Sequence, residues 1–230
     1  MSENNGRRCR FMTKIVCIGA HPDDVEQGMG GTIAKHTNRE DDVHIVICTL
    51  GIGGESGDPR TRKKEAQVAA SILGANLHTL DYPVLKLNKP SVEFDNIMNK
   101  IIDNLSPDRL YIHSPFDYHQ VHSTVSQSVI KASKDVKQVL FYEDISSTTV
   151  EFKPNAYVDI TNYIDIKIRS LYVHKTQSKK LYLQSNILRS LANTRYMMGK
   201  LGSDPNGMAE AFTIHKFIIE YSNDDNNNIY

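Results

Sequence analysis

The sequence predicts an α/β fold: a single-domain three-layer sandwich with a mostly parallel central sheet. Two observations predict it. Short runs dense in β-branched and aliphatic residues alternate with segments whose apolar residues recur at helical spacing, the pattern of a sheet covered by helices on both faces. Imidazoles and carboxylates concentrate where strands hand over to helices, which is where open α/β sheets bind ligands. A chain of 230 residues, 40% of them hydrophobic, can bury one substantial core.

The elements follow in order. Residues 14–20 contain the run Ile15-Val16-Cys17-Ile18 and read as a buried strand. A glycine-rich turn, Gly28 to Gly31, then opens a helix over 30–38. Residues 43–50 are almost continuously apolar, as expected of a strand covered on both faces. A loop over 51–58 with four glycines leads to a helix over 62–73, with Ala66, Ala69, Ala70 and Leu73 on one face and Gly74 as its stop. A strand over 76–82 and a helix over 92–105 follow, the helix carrying Phe94, Ile97, Ile101 and Leu105. Next come a strand over 110–114, a helix over 119–133 and a strand over 139–143. The last third is less regular: a short strand over 156–160, helices over 163–171 and 184–198, and a final strand over 213–221. Residues 1–12 read as a flexible arm, 13–221 as the domain, and the Asn/Asp-rich 222–230 as a disordered tail.

Composition excludes several classes. Lys+Arg and Asp+Glu balance at 27 each, so nothing electrostatic points to nucleic acid or an anionic membrane as partner. Cys9, Cys17 and Cys48 are too few and scattered for a disulfide framework or a four-cysteine zinc site. Cys17 and Cys48 sit in strand-like runs, which suits a reducing compartment, and no run is long enough to span a membrane. The N-terminus lacks the apolar core of a secretory signal, so the expectation is a cytoplasmic protein.

The chemistry begins in the bend Ala20-His21-Pro22-Asp23-Asp24-Val25-Glu26. His21 and Asp24, three residues apart in a tight turn, can aim at one point, and imidazole plus carboxylate is a zinc donor pair. Asp23 stays free to take a proton from a water there, and Pro22 stiffens the bend. Alone the bend also reads as ordinary turn chemistry. The second junction, Ser114-Pro115-Phe116-Asp117-Tyr118-His119-Gln120-Val121-His122, carries two histidines on one helix face. His122 supplies a third ligand and His119 lies one turn away, near substrate; alone they also read as capping or surface histidines. Two such clusters, each at a strand's C-terminal end, favour one shared site.

The bend with Gly28-Met29-Gly30-Gly31-Thr32-Ile33-Ala34 resembles the signature of the PIG-L/LmbE-type N-acetylglucosaminyl deacetylases, in the form of the bacillithiol-biosynthesis branch. The similarity continues through Gly54 to Arg62, Arg62-Lys63-Lys64-Glu65, His119 and His122, Tyr142-Glu143, Val158 to Thr161, His174-Lys175-Thr176-Gln177 and Ala209-Glu210-Ala211-Phe212. It implies a Rossmann-like fold and one Zn²⁺ per chain held by His21, Asp24 and His122. It also implies Asp23 as general base and His119 as a positively charged group or proton donor. The implied substrate is a small N-acetylglucosamine-type conjugate, hydrolysed to acetate and a free amine, and multimeric relatives suggest a homo-oligomer. One departure stands out: the family usually has Asp just before the last ligand, where this chain has Val121. Asp117 is the substitute partner expected for His119.

Substrate contacts are expected from Arg62, Glu65, Asp117, Tyr142 and His174. Each has a plainer reading: Arg62 and Glu65 as an i,i+3 ion pair at a solvated helix start, Tyr142 as a core residue, His174 as a surface histidine. His36, His44, His78, His113 and His215 have no partnering motif and read as structural or surface residues. A dinucleotide-binding reading of Gly51 to Gly57 fails because Ser56 stands where a glycine is required, and because that fingerprint belongs on the first strand-to-helix turn. A non-catalytic zinc- or sugar-binding module, or a zinc amidase acting on another amide, remain alternatives to the deacetylase.

Overall fold

The computed structural model describes residues 12–51 and 58–219. The expected arm up to residue 11, loop positions 52–57, the last two positions of the expected final strand and the tail 222–230 lie outside the described residues. The elements are β1 (Lys14–Gly19), α1 (Asp24–Asn38), β2 (Asp42–Ile47), α2 (Pro59–Leu73), β3 (Asn76–Thr79), α3 (Val92–Leu105) and β4 (Arg109–His113). They continue with α4 (Gln120–Ala132), β5 (Gln138–Tyr142), β6 (Ala156–Asp159), α5 (Ile164–Tyr172), α6 (Ser185–Met198) and β7 (Ala209–Phe217). The sheet runs β3-β2-β1-β4-β5-β7-β6. The first five strands are parallel, and β7 is antiparallel to both its neighbours.

This order places the site. From β1 the chain crosses to β2 on one side, while β4 pairs with β1 on the other. The crevice at the C-terminal ends of β1 and β4 is therefore a topological switch point. The two sequence clusters follow those two strands, so parallel pairing alone brings them together. One face of the sheet packs Phe94, Met98 and Ile102 of α3 and Val121, Val125 and Val129 of α4 against Val16, Ile18 and Leu110. The other packs Val25, Met29 and Ile33 of α1 and Ala66, Ala70 and Leu73 of α2 against Ile15, Ile45 and Tyr111. A smaller cluster, with Ile164, Ile168, Leu188 and Ala192, ties α5 to α6.

Three boundaries differ instructively. The first helix begins at Asp24 rather than residue 30, yet Met29 (φ −150°, ψ 23°) breaks it into two segments. The glycine-rich stretch therefore marks an internal break, and the second segment matches the sequence expectation. Glu210 of β7 caps that segment: its carboxylate accepts the Gly31 N–H at 3.0 Å and the Thr32 N–H at 2.6 Å. Lys167 neutralises Glu210 at 2.6 Å, and both are buried. Glycine is required at residue 31 by close approach, since a Cβ there would stand 2.7 Å from Ile160. The final strand starts at Ala209, four residues early, because the buried stretch Ala209 to Phe212 pairs with β6. The second helix starts at Pro59, with Asp58 accepting the Thr61 N–H at 3.0 Å.

Candidate metal centre and active site

The turn after β1 is built around Asp24. Its Oδ2 accepts the His21 backbone N–H at 2.7 Å, closing the three-residue bend. Asp23, between them, takes a left-handed conformation (φ 95°), uncommon for a residue with a Cβ and a feature of strained functional turns. That backbone turns the Asp23 and Asp24 carboxylates to different partners. Asp24 points to the histidines, whereas Asp23 Oδ1 lies 3.4 Å from Arg62 Nη2 and its Oδ2 3.2 Å from Lys180 Nζ.

Three donor atoms converge. His21 Nδ1 is 3.2 Å from His122 Nε2 and 3.4 Å from Asp24 Oδ2, and His122 Nε2 is 3.5 Å from Asp24 Oδ2. Behind them, His122 Nδ1 faces Asp117 Oδ2 at 3.3 Å, Ser147 Oγ at 3.3 Å and Asp144 Oδ2 at 3.5 Å. Carboxylates on the far nitrogen of a ligating histidine fix its orientation and raise its basicity. His119 caps the start of α4; its ring, partly open to solvent, stacks on His122 at 4.2 Å and meets His21 edge-on at 5.0 Å.

The electrostatics separate the two aspartates. Burial and the neighbouring Asp24 raise the Asp23 carboxyl above its ordinary value, against the pull of Lys180, His174 and Arg62. Burial also acts on Asp24, but His122, His21 and the contact with His113 outweigh it, and its carboxyl is held well below the usual range. Burial opposes charge on His122, yet Asp24, Asp117 and Asp144 bring it to about 9. The carboxylates thus make this centre favourable to positive charge. His119 moves the other way, to about 4, through burial and the nearby His122 and His21.

His21, Asp23, Asp24, Arg62, His119 and His122 all line one cavity of about 170 Å³, together with Gln27, Ser146, Gln177, Lys180 and Tyr182. The other four residues expected to contact substrate are committed elsewhere. Asp117 does not face the His119 ring: its buried carboxylate faces His122, while its Oδ1 accepts the His119 backbone N–H at 2.8 Å. Glu65 accepts from the Thr176 N–H at 3.0 Å and hydroxyl at 2.6 Å, pinning the turn after α5. Tyr142 is a core residue whose hydroxyl donates to the Ile18 carbonyl at 2.9 Å. His174 is neither rim nor surface; it is buried, 3.4 Å from Glu26 Oε1. Val121 packs in the core with α3, so position 121 faces away from the imidazoles.

Several site residues escaped sequence reasoning. His113, last in β4, is fully buried; its Nε2 is 3.1 Å from Asp24 Oδ2 and 3.0 Å from the Ala20 N–H, and its ring stacks on His122 at 4.0 Å. A histidine ending a strand beside the switch point was the available signal. Lys180 and Tyr182 reach the cavity from short turns between α5 and α6. Gln27 donates to Asp144 at 2.5 Å, linking α1 to the end of β5. Lys180 and Tyr182 lie in a segment without hydrophobic periodicity.

A mostly parallel sheet with a histidine–carboxylate cluster at its switch point that could hold a metal, and a further aspartate in the same turn, is an arrangement suited to a hydrolase. The chain belongs to the PIG-L family: the family model described as GlcNAc-PI de-N-acetylase matches residues 16–133. It is 32% identical over 169 residues to the uncharacterized deacetylase YaiS of Escherichia coli, covering 70% of this chain and 90% of that protein. It is 28% identical over 188 residues to the Bacillus subtilis protein named "Probable N-acetyl-alpha-D-glucosaminyl L-malate deacetylase 2", covering 72% and 83%. The N,N'-diacetylchitobiose deacetylase of Pyrococcus horikoshii superposes with a TM-score of 0.72 at 24% identity, over 88% of this chain and 84% of that one. At that identity the likeness speaks for the fold alone.

Proposed function

We propose that the chain is a zinc-dependent hydrolase that removes the N-acetyl group from an N-acetylglucosamine-type sugar or conjugate, releasing acetate and a free amine. One observation carries the reading: the triangle of His21 Nδ1, Asp24 Oδ2 and His122 Nε2, with edges of 3.2, 3.4 and 3.5 Å. A tetrahedral ion with bonds of about 2.0–2.1 Å needs ligand spacings of about 3.3–3.4 Å. Two imidazoles and one carboxylate are also a donor set zinc accepts, leaving a fourth position open. The name of the Bacillus subtilis relative supplies the substrate class.

Zinc held there would polarise the acetyl carbonyl and lower the pKa of its water toward about 7. Asp23, buried beside the triangle but bonded to Arg62 and Lys180 instead, accepts the proton of the attacking water. Its raised carboxyl suits a group that must first take a proton and then return it to the leaving amine. His119, whose ring lies against His122 and His21 at the cavity, donates an N–H to the developing oxyanion, as the charged group or proton donor that the family resemblance implies. Lys180 and Arg62 supply fixed positive charge at the cavity wall and hold the Asp23 carboxylate in place.

The partner in this reading is a small amino-sugar conjugate. A cytoplasmic location fits the buried free thiols of Cys17 and Cys48. Among the described residues no helix is long and apolar enough to cross a membrane. Homo-oligomer formation rests on the family resemblance, and size-exclusion chromatography with light scattering tests it. The reading itself is tested by metal content and acetate release across N-acetylglucosamine derivatives. His122→Ala should lose zinc, and Asp23→Ala should keep zinc but release no acetate. Full turnover in Asp23→Ala would overturn the mechanism.

A further inference from the structure

A second recess lies away from this cavity, where the last turns of α1 pass over the start of β4 and over β6. Its volume is about 240 Å³, and Thr32, Lys35, Arg39, Arg109 and Tyr111 line it, with Asp159 as the one carboxylate in its wall among the described residues. The helix separates it from the reaction centre. Asp24 and Lys35 are eleven residues apart on α1, which at 1.5 Å per residue is roughly 16 Å.

The recess gathers positive charge and leaves it unmatched. Among the described residues, none of Lys35, Arg39 and Arg109 forms an ion pair. Lys35 Nζ donates to the Asp159 backbone carbonyl at 2.7 Å. Arg109 donates to the Gln138 amide oxygen at 2.6 Å and toward the Tyr111 hydroxyl at 3.4 Å. The nearby carboxylates are engaged with other groups: Asp41 faces His36 Nδ1 at 2.7 Å, and Asp159 Oδ1 accepts from the Thr161 N–H and hydroxyl. Arg109 and Arg39 line the recess together with His36. A second, independent feature is Thr32: the residue is 1% exposed, it lines the recess, and its buried hydroxyl has no hydrogen-bond partner. A buried hydroxyl without a partner is uncommon and calls for one.

We propose that this recess binds a phosphate-type dianion, either free phosphate or the phosphate of a small monoester. Guanidinium forks match phosphate oxygens two at a time, and an ammonium adds a third contact. The Thr32 hydroxyl would gain the acceptor it lacks. The volume exceeds what one phosphate fills, leaving room for the organic part of a monoester.

Isothermal titration calorimetry on the metal-loaded full chain tests this, with inorganic phosphate, glucose 6-phosphate and, as a neutral control, glucose. Saturable binding of a phosphate compound is expected, weakening as salt rises. Arg39→Gln and Lys35→Gln should each weaken it by about tenfold or more, and Thr32→Val should weaken it without removing charge. Tighter binding of the sugar phosphate identifies a monoester as ligand; tighter binding of phosphate identifies the free ion. Circular dichroism verifies that each variant is folded, and Arg39, exposed at the helix end, is the variant least able to disturb the core. The proposal is overturned if no phosphate compound binds saturably, or if Arg39→Gln and Lys35→Gln bind as the parent does. Binding lost in Lys180→Gln or His122→Ala but kept in Arg39→Gln would also overturn it, by assigning the anion to the reaction site.

Discussion

Replacing Glu210 by alanine is expected to destabilise the protein by about 3–5 kcal/mol, the range for breaking a buried ion pair from one side. The carboxylate makes three contacts. It accepts the Gly31 and Thr32 N–H groups at 3.0 and 2.6 Å and pairs with Lys167 at 2.6 Å. Lys167 is 5% exposed and Glu210 3% exposed, so water replaces none of these cheaply. Alanine would leave two helix-start N–H groups and one ammonium unmatched. For a domain of this length, about 2–4 °C per kcal/mol converts the loss to a fall in Tm of roughly 6–20 °C. Urea denaturation with equal m-values measures it directly. The same logic predicts a partial rescue: Glu210→Ala with Lys167→Met removes the stranded charge but not the stranded N–H groups, so it should be more stable than Glu210→Ala alone. A loss below about 1 kcal/mol, or no rescue in the double variant, would refute the claim that β7 caps the second half of α1.

Three further outcomes follow from the geometry. His113→Ala should weaken zinc binding by about 10–100-fold, read by competition with a chromophoric chelator, because it removes the imidazole at 3.1 Å from Asp24 Oδ2; unchanged affinity would remove His113 from the site. His36 is held below its ordinary 6.5 chiefly by burial, with Asp41 opposing and Arg109 adding. The unfolded chain therefore binds that proton more readily, and stability falls as pH drops through 6.5 toward the folded value; urea midpoints across that range should fall less steeply in His36→Gln. Val121→Asp restores the family motif in sequence but places a carboxylate at a site 4% exposed among apolar side chains. It should cost more than about 2 kcal/mol and give no gain in acetate release, and a stable, faster variant would contradict the packing described for α4.

What the sequence could reveal was set by how far each partner lies along the chain. The bend was legible because its chemistry is local: His21 and Asp24 are three residues apart, and the hydrogen bond that shapes their turn spans that distance. The second cluster was legible for the same reason, since His119 and His122 share one helix turn. Parallel pairing of β1 with β4 then did what alternating strands and helices imply, and joined them. His113 was lost because its partner Asp24 is 89 residues away, and Lys180 because Asp23 is 157 away. The start of the first helix was misplaced for a related reason. Asp23 caps it in a left-handed conformation without a side-chain bond, so the usual signature is missing, and the cap of its second segment comes from Glu210, 179 residues distant. Other residues of the family motifs behave likewise. Tyr142, His174 and Glu65 are held against β1, Glu26 and the turn after α5, and motif spacing cannot separate a residue that lines the cavity from one that braces its neighbours. Asp117 makes the distinction concrete. Read locally it belonged to the His119 ring, two residues on; in the fold its Oδ2 crosses the helix start to face His122 Nδ1, while only the backbone N–H of His119 reaches its Oδ1, and that single turn of chain decides which imidazole the carboxylate faces.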